Sequence, residues 1–232
     1  MVFANWNFEV EKGLLDFAFE QLYPIATHIS FESGWPTPWI SDELSVYAIE
    51  LGFVKYKRGY MQLQPIDKEF LSNVMIGEEF EFVPFDDSMV EDISTLVFKS
   101  VDGTADQDIW PSYNISVRKI EEFLNKILKG LFGKHEQYYS WVLRDNEQYV
   151  GACFQIANEE TGFLMQIVID PEYRQQGLGK ALLCHSIHAL LRVNSAVTKV
   201  ELAVTMSNPA KILYESLGFR ILNESSTYVW KK

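Results

Sequence analysis

Residues 163–180 read FLMQIVIDPEYRQQGLGK, and residues 208–219 read NPAKILYESLGF. In the first stretch, Phe163 to Ile169 is a short apolar run with β-branched members, which predicts a buried strand. Asp170-Pro171 ends it, and the loop Arg174-Gln175-Gln176-Gly177-Leu178-Gly179-Lys180 follows. Behind the loop, Leu182, Leu183, Ile187, Leu190 and Leu191 recur at helical spacing up to Arg192. The order is strand, glycine-bearing loop, helix. A second strand is expected over Lys199 to Thr205. Ser207-Asn208-Pro209 then reads as a helix start with proline in the first turn. That helix runs through Ile212, Leu213 and Tyr214 to Leu217, and Gly218 stops it. Phe219 to Leu222 and Thr227 to Trp230 predict two closing strands.

Working upstream, Glu79 to Phe85 predicts a strand. Ser88 to Ser100 and Ser116 to Lys129 predict amphipathic helices, the second carrying Ile120, Phe123, Leu124, Ile127 and Leu128 on its apolar face. Tyr138 to Leu143 and Tyr149 to Ile156 predict a hairpin across Arg144-Asp145-Asn146-Glu147. From Glu79 the expected order is strand, two helices, three strands, helix, strand, helix, two strands.

Composition bounds the function classes. The chain has 232 residues, 47% of them hydrophobic and 22% charged. That is enough apolar material for a sizeable core and excludes a disordered or fibrous chain. Lys plus Arg number 20 against 32 Asp plus Glu, a formal net charge of −12. So acidic a chain is poorly suited to gripping nucleic acid or an anionic lipid surface. No run approaches the length of a membrane helix, and Met1 to Glu11 has no basic stretch followed by an apolar one. The two cysteines, Cys153 and Cys184, lack metal-ligand spacing and fit a reducing compartment. A cytoplasmic protein is expected. His185 and His188, three apart on a predicted helix, have no third ligand nearby in sequence, so no metal is expected.

The loop Arg174 to Lys180 suits a phosphate-bearing ligand. Its glycines permit a close backbone approach, and it opens a helix whose free N–H groups and dipole favour an anion. Arg174 and Lys180 add positive charge. The spacing matches neither the P-loop nor the dinucleotide fingerprint.

The pattern R-x-x-G-x-G after a strand, followed by N-P-A-x-x-L-Y-E-x-L-G-F, resembles the GNAT acetyltransferase superfamily over roughly Glu79 to the C-terminus. The matching residues are Arg174, Gly177 and Gly179, then Asn208, Pro209, Ala210, Tyr214, Glu215, Leu217, Gly218 and Phe219. The resemblance implies a mixed, mostly antiparallel α/β sheet with flanking helices. It implies acetyl-CoA as co-substrate, its pyrophosphate on the N–H groups of Gln175, Gln176, Gly177, Leu178, Gly179 and Lys180. The pantetheine arm would pair with the end of the Ile167, Val168, Ile169 strand where that strand splays from the next. A backbone N–H there would hold the oxyanion. Asn208 would line the arm, and Tyr214 would be the general acid toward the leaving thiolate.

The implied acceptor is a primary amine of a small molecule or peptide: a polyamine, an amino acid, an aminoglycoside-like molecule or a protein N-terminus. An alkylammonium with pKa near ~10 is about one part in a thousand neutral at pH 7, so a base must take its proton. Glu121, Glu122, Glu159, Glu160 and Glu201 are the candidates. In the family the acceptor lies under the connection between the first two helices, here Val101 to Ile115. Its Asp102, Asp106, Asp108, Trp110, Pro111 and Tyr113 offer charge and ring faces to a cation, or else form an ordinary acidic loop. A non-catalytic acyl-CoA-binding sensor is the alternative function, and both monomer and homodimer remain open.

Residues 1–66 read as a degenerate copy of the C-terminal half of the same fold, 67–78 as a linker and 79–232 as the complete domain. Lys12-Gly13-Leu14-Leu15 is similar to Lys180-Ala181-Leu182-Leu183, and Leu51-Gly52-Phe53 repeats Leu217-Gly218-Phe219. On that alignment Glu9 and Glu11 replace the loop glycines and Trp6 replaces Arg174, so no CoA binding is expected there. Tyr47 is displaced by one position relative to Tyr214, and Trp35 to Trp39 replaces the Asn-Pro helix start. Two predicted strands, Val54 to Arg58 and Tyr60 to Leu63, close the copy.

Overall fold

The computed structural model describes residues 7–34, 40–73 and 75–232. Trp6 and Trp35 to Trp39, which entered the comparison of the two halves, lie outside the described residues. In chain order the first elements are α1 (Phe8–Leu22), β1 (His28–Glu32), α2 (Asp42–Glu50), β2 (Val54–Leu63) and α3 (Lys68–Ser72). Then come β3 (Phe80–Pro84), α4 (Val90–Val101), two short helices α5 (Ala105–Ile109) and α6 (Pro111–Asn114), and α7 (Val117–Leu128). The C-terminal series is β4 (Trp141–Asp145), β5 (Gln148–Asn158), β6 (Thr161–Ile169), α8 (Leu178–Val193), β7 (Lys199–Thr205), α9 (Ala210–Ser216) and β8 (Arg220–Lys231).

The strands form one eight-stranded sheet in the order β1-β8-β2-β7-β6-β5-β4-β3. Every neighbouring pair is antiparallel except β6 and β7, which run parallel because α8 crosses over between them. This is the expected mixed, mostly antiparallel sheet with flanking helices. Each helix is placed by its apolar stripe. Leu182, Leu183, Ile187 and Leu190 of α8 are wholly buried in one core with Leu202 and Val204 of β7. Ile120, Leu124 and Ile127 of α7 are wholly buried in a second core, with Ile93 and Val97 of α4. A third cluster joins Ile29, Ala48 and Phe53 to Tyr228 and Trp230.

The closing strands differ from expectation. The chain expected as two strands, Phe219 to Leu222 and Thr227 to Trp230, is one strand, β8. Its polar middle, Asn223 to Ser226, is paired with Lys57 to Tyr60 of β2. Likewise Val54 to Leu63 is a single strand, with Gly59 inside it. A Cβ at Gly59 would stand 2.8 Å from Met206 Sδ, so close packing explains the glycine. In both cases a partner strand from the other end of the chain overrides a local turn signal.

The pairing of the two ends is reciprocal. β1 pairs with β8, β2 pairs with β7, and β2 and β8 pair with each other between them. The segment expected as a linker contains α3, whose Leu71 is buried in the α8 core and whose Phe70 ring lies 5.1 Å from Lys180 Nζ. The helix starts also shift the comparison of the halves. α1 begins at Phe8 behind the cap Asn7, and α8 begins at Leu178 behind Gly177. Glu9 and Glu11 therefore lie within the first turn of α1, not in a loop before it. Glu11 is buried and accepts hydrogen bonds from the backbone N–H and hydroxyl of Ser41, the cap of α2.

Candidate active site

β6 and β7 stay paired only through Thr161, Gly162 and Phe163, opposite Lys199, Val200 and Glu201. Beyond Phe163 they diverge. β7 turns its other edge to β2, and β6 keeps only β5. The divergence is helped by a bulge, since Gln155 faces Leu164 and Phe154 faces Gln166, which leaves Met165 as an extra residue on β6. The result is a cleft of about 1330 Å3, floored by Leu164 to Ile169 and by Leu202 to Thr205. Along it, among the described residues, no strand pairs with the cleft-side edge of Ile167, Val168 and Ile169. The sequence located this edge. The bulge that opens it leaves no signal in the residue pattern.

At one end of the cleft the loop enters α8. Gln175 and Gly177 both take left-handed backbone conformations, at φ 64° and 81°. Gly177 supplies no side chain to cap the helix, so the N–H groups of Leu178, Gly179 and Lys180 face the cleft uncapped. Gly179 is helical; a Cβ there would sit 3.6 Å from Ile169 Cγ1 and Leu213 Cδ2, an ordinary contact. Gln176 is exposed at the loop tip, outside the cleft lining. Arg174 lines the cleft but is anchored: Nε donates to the Ile169 carbonyl at 3.1 Å and Nη2 to the Ser100 carbonyl at 2.9 Å. Those bonds tie the loop to β6 and α4. Asn208 lines the facing wall, and its Oδ1 accepts from Ala210 N at 2.9 Å, capping α9.

Tyr214 projects from α9 into the same cleft and is 6% exposed. Burial, with smaller contributions from Cys153 and Asp106, pushes its phenol well above the ordinary tyrosine value. Like any phenol it is protonated at neutral pH, and burial makes it hold that proton more tightly.

The other end is walled by α5, α6 and the N-terminal strand β2. Of the three aspartates in the 101–115 connection, Asp106 lines the cleft, with Trp110 and Tyr113. Asp108 is turned away, bonded to Lys231 Nζ at 2.5 Å and Tyr56 Oη at 2.6 Å. Arg58 on β2 is opposite Thr205 on β7, and its Nη1 donates to Thr205 Oγ1 at 2.7 Å. The same Nη1 is 3.8 Å from Asp106 Oδ1, and Thr205 Oγ1 donates to that oxygen at 3.4 Å. Burial raises the Asp106 carboxyl above its usual value; Arg58 and Thr205 only partly offset this. Burial likewise pulls the Arg58 guanidinium down, against Asp106 and Glu32.

None of the five glutamates considered as bases lines the cleft. Glu121 and Glu122 are on α7, where Glu122 accepts from Lys119 at 2.7 Å. Glu159 and Glu160 form the β5–β6 turn. Glu201 is occupied by the Tyr60 hydroxyl, Gln62 and Lys199. Burial opposes its charge, but those donors outweigh it and hold it below the usual carboxylate range. His185 stacks on Phe82 at 4.1 Å, and Cys153 and Cys184 are buried free thiols pushed up to about 12 and about 11 by burial. Arg58 is the functional candidate that sequence reasoning missed. It comes from a strand 147 residues before its partner Thr205.

Comparison with known proteins bears on this geometry. Residues 136–221 match the model of the acetyltransferase (GNAT) domain. The chain is 42% identical over 86 residues to the [ribosomal protein bS18]-alanine N-acetyltransferase of Escherichia coli K12, covering 36% of this chain and 56% of that one. The chain thus spans little more than half the length of that relative. A GCN5-related N-acetyltransferase from Sphaerobacter thermophilus superposes with TM-score 0.66 at 14% identity, over 96% of this chain and 68% of that one. A tandem GNAT protein from the clavulanic acid biosynthesis pathway gives TM-score 0.62 at 16% identity, over 98% and 71%. At those identities the two structures speak for the fold alone.

Proposed function

We propose that this chain, whose residues 136–221 match the model of the acetyltransferase (GNAT) domain, is an N-acetyltransferase that moves the acetyl group of acetyl-CoA directly to a primary amine. The observation that carries this reading is the open edge of β6 running into the uncapped start of α8, with Tyr214 on the facing helix. The chain's groups divide the work as follows. The N–H groups of Leu178 to Lys180, with the positive end of the helix dipole, receive the pyrophosphate. The free edge of Ile167 to Ile169 pairs with the amide-bearing arm as a further strand would. An N–H of that edge donates to the thioester carbonyl and holds the developing oxyanion. Asp106 takes the ammonium proton. Its raised affinity for protons narrows the gap to the amine and makes the transfer less uphill. Tyr214 gives its proton to the departing thiolate.

The domain organisation is part of the proposal. Residues 1–66 are a half-copy of the C-terminal unit, exchanged into its sheet. The order helix, strand, helix, strand in α1-β1-α2-β2 and in α8-β7-α9-β8 supports this, as does the reciprocal pairing of β1 with β8 and β2 with β7. The half-copy does not bind CoA: in place of a glycine cap with open N–H groups, α1 has Asn7 capping Val10 N and the buried Glu11 satisfied by Ser41.

Calorimetric titration of the full chain with acetyl-CoA tests both parts. One site per chain, followed by amine-dependent release of free thiol, is the expected result. Two sites would overturn the inactive half-copy. Binding without thiol release for any amine would leave the sensor alternative standing, and no binding at millimolar ligand would remove the acyl-CoA reading.

A further inference from the structure

The charged groups at the far end of the cleft, Arg58 and Asp106, lie outside 136–221, so their chemistry must be read from this chain's own side chains. Arg58 is 7% exposed; among the described residues its guanidinium makes one hydrogen bond, to Thr205, and lies 5.8 Å from the Trp110 ring. A buried guanidinium carries five N–H donors and a large desolvation cost, which normally calls for a bidentate carboxylate at 2.7–2.9 Å. Asp106 does not supply that. It stands 3.8 Å from Nη1, beyond hydrogen-bond length, and its own bond from Thr205 is long at 3.4 Å. Both charges line the cleft with donors and acceptors left over. Glu32, the other acid on this wall, is held by Thr227 Oγ1 at 3.3 Å.

Resting on the transfer reading above, we propose that the acceptor is a free amino acid: its ammonium goes to Asp106 and its carboxylate to Arg58, the N-terminal unit thereby setting the substrate class. An α-amino acid carries both charges on one carbon, which matches the side-by-side placement of Asp106 and Arg58. A diamine would meet Arg58 as a like charge. A peptide N-terminus would offer it only a neutral carbonyl, leaving its free donors with no charged partner beyond Asp106 at 3.8 Å and Glu32.

The test uses the full chain with acetyl-CoA and a panel of free amino acids, each beside its amide and its decarboxylated amine, read by thiol release. Amino acids are expected to exceed both counterparts at least tenfold in kcat/KM, about the worth of one charge-assisted hydrogen bond. Arg58→Gln should erase that preference, mainly by raising KM, and Arg58→Lys should restore part of it. Unchanged affinity of both variants for acetyl-CoA shows that they are folded. Calorimetry with CoA present gives a second readout: N-acetylalanine should bind at least tenfold tighter than N-ethylacetamide, and the margin should vanish in Arg58→Gln. Amides or amines equal to the acids, an Arg58→Gln variant that keeps the preference, or acetyl-CoA binding with no turnover of any amino acid would each overturn the proposal. Failure to bind acetyl-CoA at all would bring down the transfer reading and this proposal with it.

Discussion

Tyr214 and Asp106 are distinguished by what burial does to them. Burial raises both groups: it makes the Asp106 carboxylate a stronger base and the Tyr214 phenol a weaker acid. Under the proposed mechanism, Tyr214→Phe should lower turnover by about a hundredfold or more while leaving acetyl-CoA affinity unchanged. If that variant matches the parent across pH, the acid lies elsewhere. Asp106→Asn should cost turnover by a similar factor. In the parent, activity should rise with pH through a carboxyl value above the ordinary one, because only ionised Asp106 can accept the ammonium proton. That acid limb should be missing from the variant's pH–rate profile.

At the scale of elements, the entry to α8 depends on one backbone geometry. A Cβ at Gly177 would meet nothing within 4 Å, so the constraint is its φ of 81° alone. Gly177→Ala should cost about 1–2 kcal/mol, lower Tm by about 2–8 °C, and weaken acetyl-CoA binding if relief of strain turns the N–H groups aside. The other end of the element scale is His185 on α8, stacked on Phe82 and edge-on to Trp141 at 4.3 Å. Burial, with His188 nearby, lowers its value from 6.5 to about 4. The unfolded chain takes this proton first as pH falls, so stability is lost between about pH 6.5 and pH 4. Thermal melts of His185→Phe should depend less on pH across that window than those of the parent.

The whole molecule is held together by β2, which pairs with β8 on one side and β7 on the other. β2 lies between β8 and β7 and buries Met61 and Leu63 in the α8 core. A chain beginning at Glu79 would lack it, leaving β7 and β8 with two open edges inside the sheet and apolar surface uncovered. Such a fragment should be less soluble than the full chain and should lose amine-dependent thiol release together with Arg58. Denaturation of the full chain should be a single transition by near- and far-UV signals alike, because no boundary near residue 66 interrupts the hydrogen-bonded sheet. A stable and fully active 79–232 fragment would overturn this view of the N-terminal unit.

What sequence alone determined is local in origin. The apolar run Phe163 to Ile169, the glycines of the loop and the Asn-Pro start of α9 act through sterics and hydrogen bonds within a few residues, so strand, loop and helix were legible in order; the edge at Ile167 to Ile169 and the part given to Tyr214 came only from the family resemblance that those motifs carry. Tertiary structure decided the rest. β8 is continuous through a polar middle because β2 pairs with it. Asp106 alone of the three aspartates in its connection lines the cleft, where Arg58 and Thr205 meet it from positions 48 before and 99 after it along the chain. Which carboxylate is buried, and beside which cation, follows from packing between distant segments. No residue pattern encodes that distance.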